Sequence, residues 1–148
     1  MSQPARAVLA FDYGLRTIGI AVGNELLGSA TALAPLAARD GVPDWECIRR
    51  LLKEWKPGLL LVGLPLNMDG SPSEMSTRAG RFARRLHGRF EIECQMMDER
   101  LSSFEARSRL AELGHNAAQT AAAVDSEAAR IILESWFAQR QPDGGTNS

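Results

Sequence analysis

Residues 7–23 read AVLAFDYGLRTIGIAVG, and an acid, Asp12, interrupts an apolar run that is typical of the interior of a β-sheet. The pattern predicts a strand at Ala7–Phe11, a tight turn at Gly14–Arg16 and a returning strand at Thr17–Val22. Burying a carboxylate in a sheet is costly unless a cation lies against it, and a metal ion is the simplest such cation. The function of the chain therefore depends on whether other carboxylates converge on Asp12.

Length and composition predict one soluble globular domain. The chain has 148 residues, of which 45% are hydrophobic and 24% are charged, and its formal net charge is −1. This charge weighs against a protein that attracts nucleic acid over its whole surface, although a local basic face remains open. We interpret Cys47 and Cys94 as buried free thiols in a reducing compartment. No apolar stretch approaches the ~20 residues of a membrane span, so we expect a cytoplasmic protein.

Beyond Val22, one more strand precedes an alternation of helices and strands. The predicted elements are, in order, a strand at Thr31–Ala37, a helix at Pro43–Trp55, a strand at Leu59–Val62, a helix at Ser73–His87, a strand at Ile92–Met97, a helix at Ser102–Leu113 and a last helix at about Asp125–Phe137. This order predicts an α/β fold with a five-stranded mixed sheet, three antiparallel strands and then two parallel ones, flanked by helices. We expect residues 1–148 to form a single domain, with an ordered core at about 6–139 and a polar tail at 140–148.

Three acids are expected at one edge of this sheet. Asp12 lies near the end of the first strand, Glu99 follows the fifth strand, and Asp125 opens the last helix. Carboxylate oxygens are the ligands that Mg²⁺ and Mn²⁺ prefer, and a pair of such ions can clamp the attacking and leaving oxygens of a phosphodiester. Each acid also has a simpler interpretation: a hairpin turn for Asp12, a solvated strand end for Asp98 or Glu99, and a helix N-cap for Asp125.

Four motifs in order strengthen the catalytic interpretation. They read FDYGLRTIGIAVG at 11–23, VGLPLNMDGS at 62–71, DERLSS at 98–103 and VDSEAARIIL at 124–133. Together they resemble the YqgF family, also called RuvX, the pre-16S ribosomal RNA nucleases that are related to Holliday junction resolvases. The resemblance covers about residues 7–137, which is nearly the whole chain.

The resemblance implies a ribonuclease H-like fold and a cytoplasmic bacterial hydrolase that uses Mg²⁺ or Mn²⁺, with two ions expected. The implied substrate is the 5′ end of the 16S rRNA precursor, with precursor ribosomal particles as further partners and no membrane partner. The metal-binding acids of the family fall on Asp12, Glu99 and Asp125, with Asp98 as the alternative to Glu99. Asn67 and Arg100 correspond to substrate-facing positions.

One departure from the family concerns phosphate attraction. The family often carries Lys or Arg just before the last motif acid, whereas residues 119–124 read QTAAAV and have no positive charge. Affinity for phosphate must then come from elsewhere, and we expect it from arginines. The candidates are Arg16 and the arginines of the second predicted helix, namely Arg78, Arg81, Arg84, Arg85 and Arg89, with Arg81 and Arg85 foremost. The alternative is a solvated helix face.

The sequence leaves three functions open. The first is a metal-dependent nuclease on structured RNA, with Holliday junction-like branched DNA as the alternative substrate. The second is an ATP-binding protein of the actin and sugar-kinase type, because residues 12–21 resemble the phosphate-contacting hairpin of such proteins. Those proteins, however, need two domains of this kind. The third is a non-catalytic RNA-binding factor of the ribosome or of transcription. Whether cleavage is internal or terminal, and whether the chain is a monomer or a dimer, also remain open.

Overall fold

The structure, a computed structural model, describes residues 6–98 and 117–140, and at positions 117–125 and 140 it describes the backbone alone. The strands are β1 (Ala7–Asp12), β2 (Thr17–Asn24), β3 (Ala30–Arg39), β4 (Val42–Pro43), β5 (Leu59–Leu64) and β6 (Cys94–Asp98), and the helices are α1 (Trp45–Trp55), α2 (Glu74–Phe90) and α3 (Ala117–Arg140). The helix predicted at Ser102–Leu113 and the tail beyond residue 140 lie outside the described residues. Within the described part, no helix is long and apolar enough to cross a lipid bilayer.

The strands form one mixed sheet in the order β4-β3-β2-β1-β5-β6. Strands β1, β2 and β3 pair antiparallel, whereas β5 pairs parallel to β1 and β6 pairs parallel to β5. The predicted α/β architecture is therefore confirmed, with one correction: the sheet has a sixth strand. Strand β4 has two residues, Val42 and Pro43, which are too few to show a period-2 pattern in the sequence.

The two faces of the sheet carry separate cores because successive side chains of a strand point to opposite sides. Leu9 and Phe11, at odd-numbered positions of β1, lie in the core covered by α1 and α2. Val8 and Ala10, at even-numbered positions, lie in the core covered by α3. This alternation decides on which face each polar residue at the end of a strand lies.

Helix α2 begins where the sequence predicts because Ser73 caps it. The Ser73 hydroxyl accepts from the Ser76 backbone N–H at 3.0 Å, and the Ser76 hydroxyl accepts from the Ser73 backbone N–H at 2.7 Å. This reciprocal capping box satisfies two backbone donors at the helix start. Ala79, Phe82 and Leu86 of this helix are buried, and Met75 is partly buried.

Helix α3 begins at Ala117, about two turns before the predicted start at Asp125. The prediction used the preference of Asp for the N-cap position, but the preceding AAQTAAAV is rich in alanine, the strongest helix former. The helix therefore extends upstream through this segment. Asp125 lies inside α3, so the interpretation of this residue as a simple N-cap is wrong.

Candidate functional site

Asp12 is the last residue of β1 and lies where three parallel strands end. In the residue pairing of the sheet, Phe11 lies opposite Val62 of β5, and Val62 lies opposite Met96 of β6. The carboxyl ends of β1, β5 and β6 therefore meet at a single edge, which we call the carboxyl edge. Asp12 is half-buried there. Its predicted position at a strand end is confirmed.

The faces of the sheet distinguish Asp12 from Asp98. Asp12 continues the even-numbered series of β1 and lies on the α3 face. In β6 the relation is reversed, because Cys94 packs on the α1 and α2 core while Met97 packs on the α3 core. Asp98 therefore lies on the face opposite to Asp12. Glu99, which follows it in the chain, lies outside the described residues.

A hydrogen bond anchors helix α3 near the level of Asp12. The buried Ser126 hydroxyl donates to the backbone carbonyl of Leu33 at 2.6 Å. Leu33 pairs with Ile20, and Ile20 pairs with Phe11, the residue before Asp12. Leu33 is two strands, or about 10 Å, from β1 in the lateral direction. The backbone of Asp125, next to Ser126, is thus held on the face of the sheet where Asp12 lies.

Of the three acids that are predicted to bind metal, Asp12 is the one whose side chain the structure describes. Glu99 and Arg100 lie outside the described residues, as does the side chain of Asp125. Among the side chains that the structure does describe, no three His, Cys, Asp or Glu residues form a group that could hold a metal ion. The assignment of Mg²⁺ or Mn²⁺ to these acids therefore stays a prediction.

The turn after Asp12 has no room for a side chain at Gly14. A Cβ atom built on Gly14 would lie 2.4 Å from the backbone oxygen of Thr17, well inside van der Waals contact. Arg16, in the same turn, is exposed, and its carbonyl accepts from the Ala38 N–H at 2.8 Å. The turn thus fixes the chain that follows Asp12 and leaves the Arg16 guanidinium at the surface.

Asn67 holds together the loop that follows β5. Its Nδ2 donates to the Ser71 hydroxyl at 3.0 Å and to the Pro72 carbonyl at 3.1 Å. Its backbone carbonyl accepts from the Gly70 N–H at 2.8 Å. Because both amide hydrogens are used within the loop, a contact to substrate would use Oδ1. The predicted substrate-facing role remains a prediction, beside a clear role in shaping the loop.

A polar cleft of about 240 Å³ opens on the α2 side of the carboxyl edge. We call it the arginine cleft and define it by Tyr13, Asp40, Gly41, Arg78, Arg81 and Arg85. The sequence predicted Arg81 and Arg85 as phosphate contacts and missed Tyr13 and Asp40. The dipeptide Asp40-Gly41 is a hairpin signal, but the strand that follows is too short to have drawn attention to it.

The charges around the cleft are unevenly paired. Arg78 lies 3.6 Å from Asp40 and 3.9 Å from Glu74. Arg81 and Arg85 are exposed, and neither forms an ion pair with an acid in the described ranges. Both therefore carry an exposed positive charge at the cleft.

The other two helix arginines are placed differently. Arg89 lies over the Trp45 ring, 4.2 Å from its centroid, and Arg84 lines a separate groove with Cys94. Of the five arginines proposed from α2, three line the arginine cleft.

The cysteines are free and half-buried, where full burial was expected. Burial, with a smaller contribution from the charge of Glu93, raises the pKa of Cys94 to about 11. Only the thiolate is a nucleophile, so Cys94 is inert at neutral pH.

Comparison with known proteins agrees with these observations. A family model described as "RuvX: Holliday junction resolvase" matches residues 6–139. A protein of Chromohalobacter salexigens is 57% identical over 142 residues, which are 93% of this chain and 96% of that protein. A protein of Yersinia pestis is 52% identical over 132 residues, which are 89% of this chain and 94% of that protein. Both are named "Putative pre-16S rRNA nuclease".

Among solved structures, the yeast mitochondrial Holliday junction resolvase Ydc2 superimposes with a TM-score of 0.54. The match covers 93% of this chain and 80% of that chain at 10% sequence identity. At this identity the likeness concerns the fold alone. It confirms the predicted ribonuclease H-like fold.

Proposed function

We propose, because this chain belongs to the RuvX family, that it is a nuclease that hydrolyses phosphodiester bonds at the 5′ end of the 16S rRNA precursor. The observation that carries the proposal is a full-length match, since 142 aligned residues cover 96% of a relative named for this activity. Branched DNA is the second candidate substrate, because the family model carries the name of a Holliday junction resolvase. Precursor ribosomal particles are the proposed setting of the RNA reaction.

For the metal site we propose Asp12, Glu99 and Asp125, with Mg²⁺ or Mn²⁺ as the ions. Three oxygen-donor acids suit a hard cation, and Asp12 is placed at the carboxyl edge on the α3 face. Glu99 is preferred because Asp98 belongs to the series of β6 that faces away from Asp12. Asp125 lies one helical turn before Ala129, and Ala129 is buried between α3 and the sheet.

The proposed reaction is direct hydrolysis. Water forms a bond to phosphorus, the bond to the 3′ oxygen breaks, and that oxygen leaves with a proton. When bound, a pair of Mg²⁺ or Mn²⁺ ions would lower the pKa of the water and stabilise charge on the leaving oxygen. Arg81 and Arg85 bind phosphates and orient the strand across the carboxyl edge. The protonated Cys94 thiol offers no covalent alternative.

A cytoplasmic location is part of the proposal. Cys47 and Cys94 are both free, which suits a reducing compartment, where ribosomal RNA is also processed.

The test is Asp12→Asn, which keeps the size of the side chain and removes its charge. We expect metal-dependent cleavage of a pre-16S leader RNA to fall by at least about a hundredfold, because a ligand worth several kcal/mol of charge stabilisation is lost. Chelation of the wild-type protein should have the same effect. Circular dichroism and thermal unfolding should match the wild type.

Asp44→Asn is the matched control for this experiment. Asp44 caps α1 by accepting from the Glu46 N–H at 2.9 Å, and Asn serves this role equally well.

Full cleavage by the Asp12→Asn protein, or in chelator, would leave a non-catalytic RNA-binding role. A branched DNA junction assayed in parallel decides between the two candidate substrates.

A further inference from the structure

We infer that the arginine cleft is a phosphate-binding subsite for the nucleic-acid strand, and that the carboxylate of Asp40 competes with the phosphate in it. The inference rests on the proposed function, because the phosphate belongs to the strand that is cleaved beside Asp12. It assigns to the hairpin between β3 and β4 a role in substrate affinity.

The wall of the cleft is tied directly to the end of β1. Tyr13 follows Asp12 in the chain and lies on the opposite face, where its ring centroid is 5.1 Å from that of Phe82. Its hydroxyl donates to the Gly41 carbonyl at 2.9 Å. A Cβ atom on Gly41 would lie 1.9 Å from this hydroxyl, so the hairpin can approach only because residue 41 is glycine. A strand lying over the carboxyl edge would therefore meet both Asp12 and the cleft.

The charge of the cleft suits a phosphate. Arg78, Arg81 and Arg85 are spaced by three and four residues and share one face of α2. Within the described part of the chain, the cleft lining contains one acid, Asp40, and Glu74 lies outside the lining, 3.9 Å from Arg78. Guanidinium groups bind phosphate oxygens through paired hydrogen bonds, which makes arginine more selective for phosphate than a point charge. This local excess of positive charge occurs in a chain whose net charge is −1.

Asp40 occupies part of the position that a phosphate would take. Its carboxylate lies 3.6 Å from the Arg78 guanidinium while its side chain is 80% exposed. Residues 40 and 41 have φ angles of 51° and 82°, which define a tight hairpin turn that accepts Asn as readily as Asp at its first position. The turn therefore does not require a negative charge. The charge instead offers Arg78 an internal partner that a bound phosphate must displace.

Asp40→Asn tests the inference, with Asp44→Asn as the control. Both changes remove one negative charge, and Asn preserves the turn in one case and the helix cap in the other. Binding is measured by fluorescence anisotropy in chelator, so that no cleavage occurs. The probes are fluorescein-labelled single-stranded RNAs of one sequence, carrying either a 5′-hydroxyl or a 5′-phosphate.

We expect Asp40→Asn to tighten RNA binding roughly three- to fivefold, the size of one exposed charge pair, and Asp44→Asn to change it by less than about twofold. An equal gain on both RNAs identifies an internal phosphodiester as the ligand, and a larger gain on the 5′-phosphate RNA identifies a terminal phosphate. Either result supports the subsite. Thermal unfolding of both variants verifies the fold.

Unchanged or weaker binding by a folded Asp40→Asn protein would overturn the inference. Because cleavage is not measured here, this failure leaves the result with Asp12→Asn untouched. If the wild-type protein binds neither RNA, both the subsite and the RNA substrate fail together.

Discussion

Two neighbouring residues direct the proposed chemistry to opposite faces of the sheet. Asp12 lies on the α3 face, where the metal-binding acids are proposed, and Tyr13 lies on the α2 face, where it forms a wall of the arginine cleft. The alternation of a strand thus separates the proposed catalytic site from the proposed phosphate-binding site by one position in the sequence.

Asp98, the last residue of β6, and Glu99, which follows it in the sequence, should differ sharply in their effect on cleavage. We expect Glu99→Gln to lower metal-dependent cleavage by about a hundredfold or more, as a lost metal ligand would. Asp98→Asn should stay within about threefold of the wild type, because Asp98 lies on the face away from Asp12. Single-turnover cleavage at saturating Mn²⁺ compares the two variants. The reverse order of activities would assign the second ligand to Asp98.

At the scale of elements, hydrophobic periodicity together with turn and capping residues predicted most of the fold. Strand β1, the turn after it and helix α2 were predicted to within a few residues, since each combines a clear period with a glycine or capping signal. The start of α3 was missed because an alanine-rich segment carries no amphipathic pattern. Strand β4 was missed because two residues show no period. With β4 the sequence also missed the Tyr13 side of the cleft, which depends on a contact distant in the chain.

Replacing one glycine in the turn after Asp12 and one in helix α2 tests whether the turn has room for a side chain. Gly14→Ala should lower the free energy of unfolding by about 1–3 kcal/mol and weaken cleavage, because the new Cβ would press on the Thr17 carbonyl. Gly88→Ala in α2 should raise it by about 0.5–1 kcal/mol, because its Cβ meets nothing within 4 Å and alanine favours the helix. Urea denaturation of both proteins gives these values. A stable, fully active Gly14→Ala protein would contradict this prediction, because it would show that the turn accommodates a Cβ atom at residue 14.

At the scale of the whole molecule, the net charge does not indicate the nucleic-acid binding that the proposed function requires. A formal charge of −1 indicates no general attraction to RNA, and the sequence alone could not decide whether the α2 arginines were a solvated face or a binding face. The fold favours a binding face, because it places Arg81 and Arg85 in one cleft with Tyr13, the residue after β1, without an acidic ion-pair partner in the described residues. Their placement depends on how α2 packs on the sheet, which no local pattern encodes. Affinity should therefore come from a few local contacts and depend modestly on salt.

The double variant Arg81→Glu/Arg85→Glu tests this view of the whole surface. If each arginine neutralises one phosphate of a single strand, the slope of log affinity against log salt should become shallower by about 1.4, and affinity at low salt should fall roughly tenfold. The control is Arg50→Glu/Lys53→Glu on α1, which alters net charge by the same amount on exposed residues outside the cleft. We expect the control to weaken binding only slightly and to keep the slope, because distant charges are screened at physiological salt. Equal losses in both variants would mean that RNA responds to total charge, and the α2 arginines would then be a solvated face.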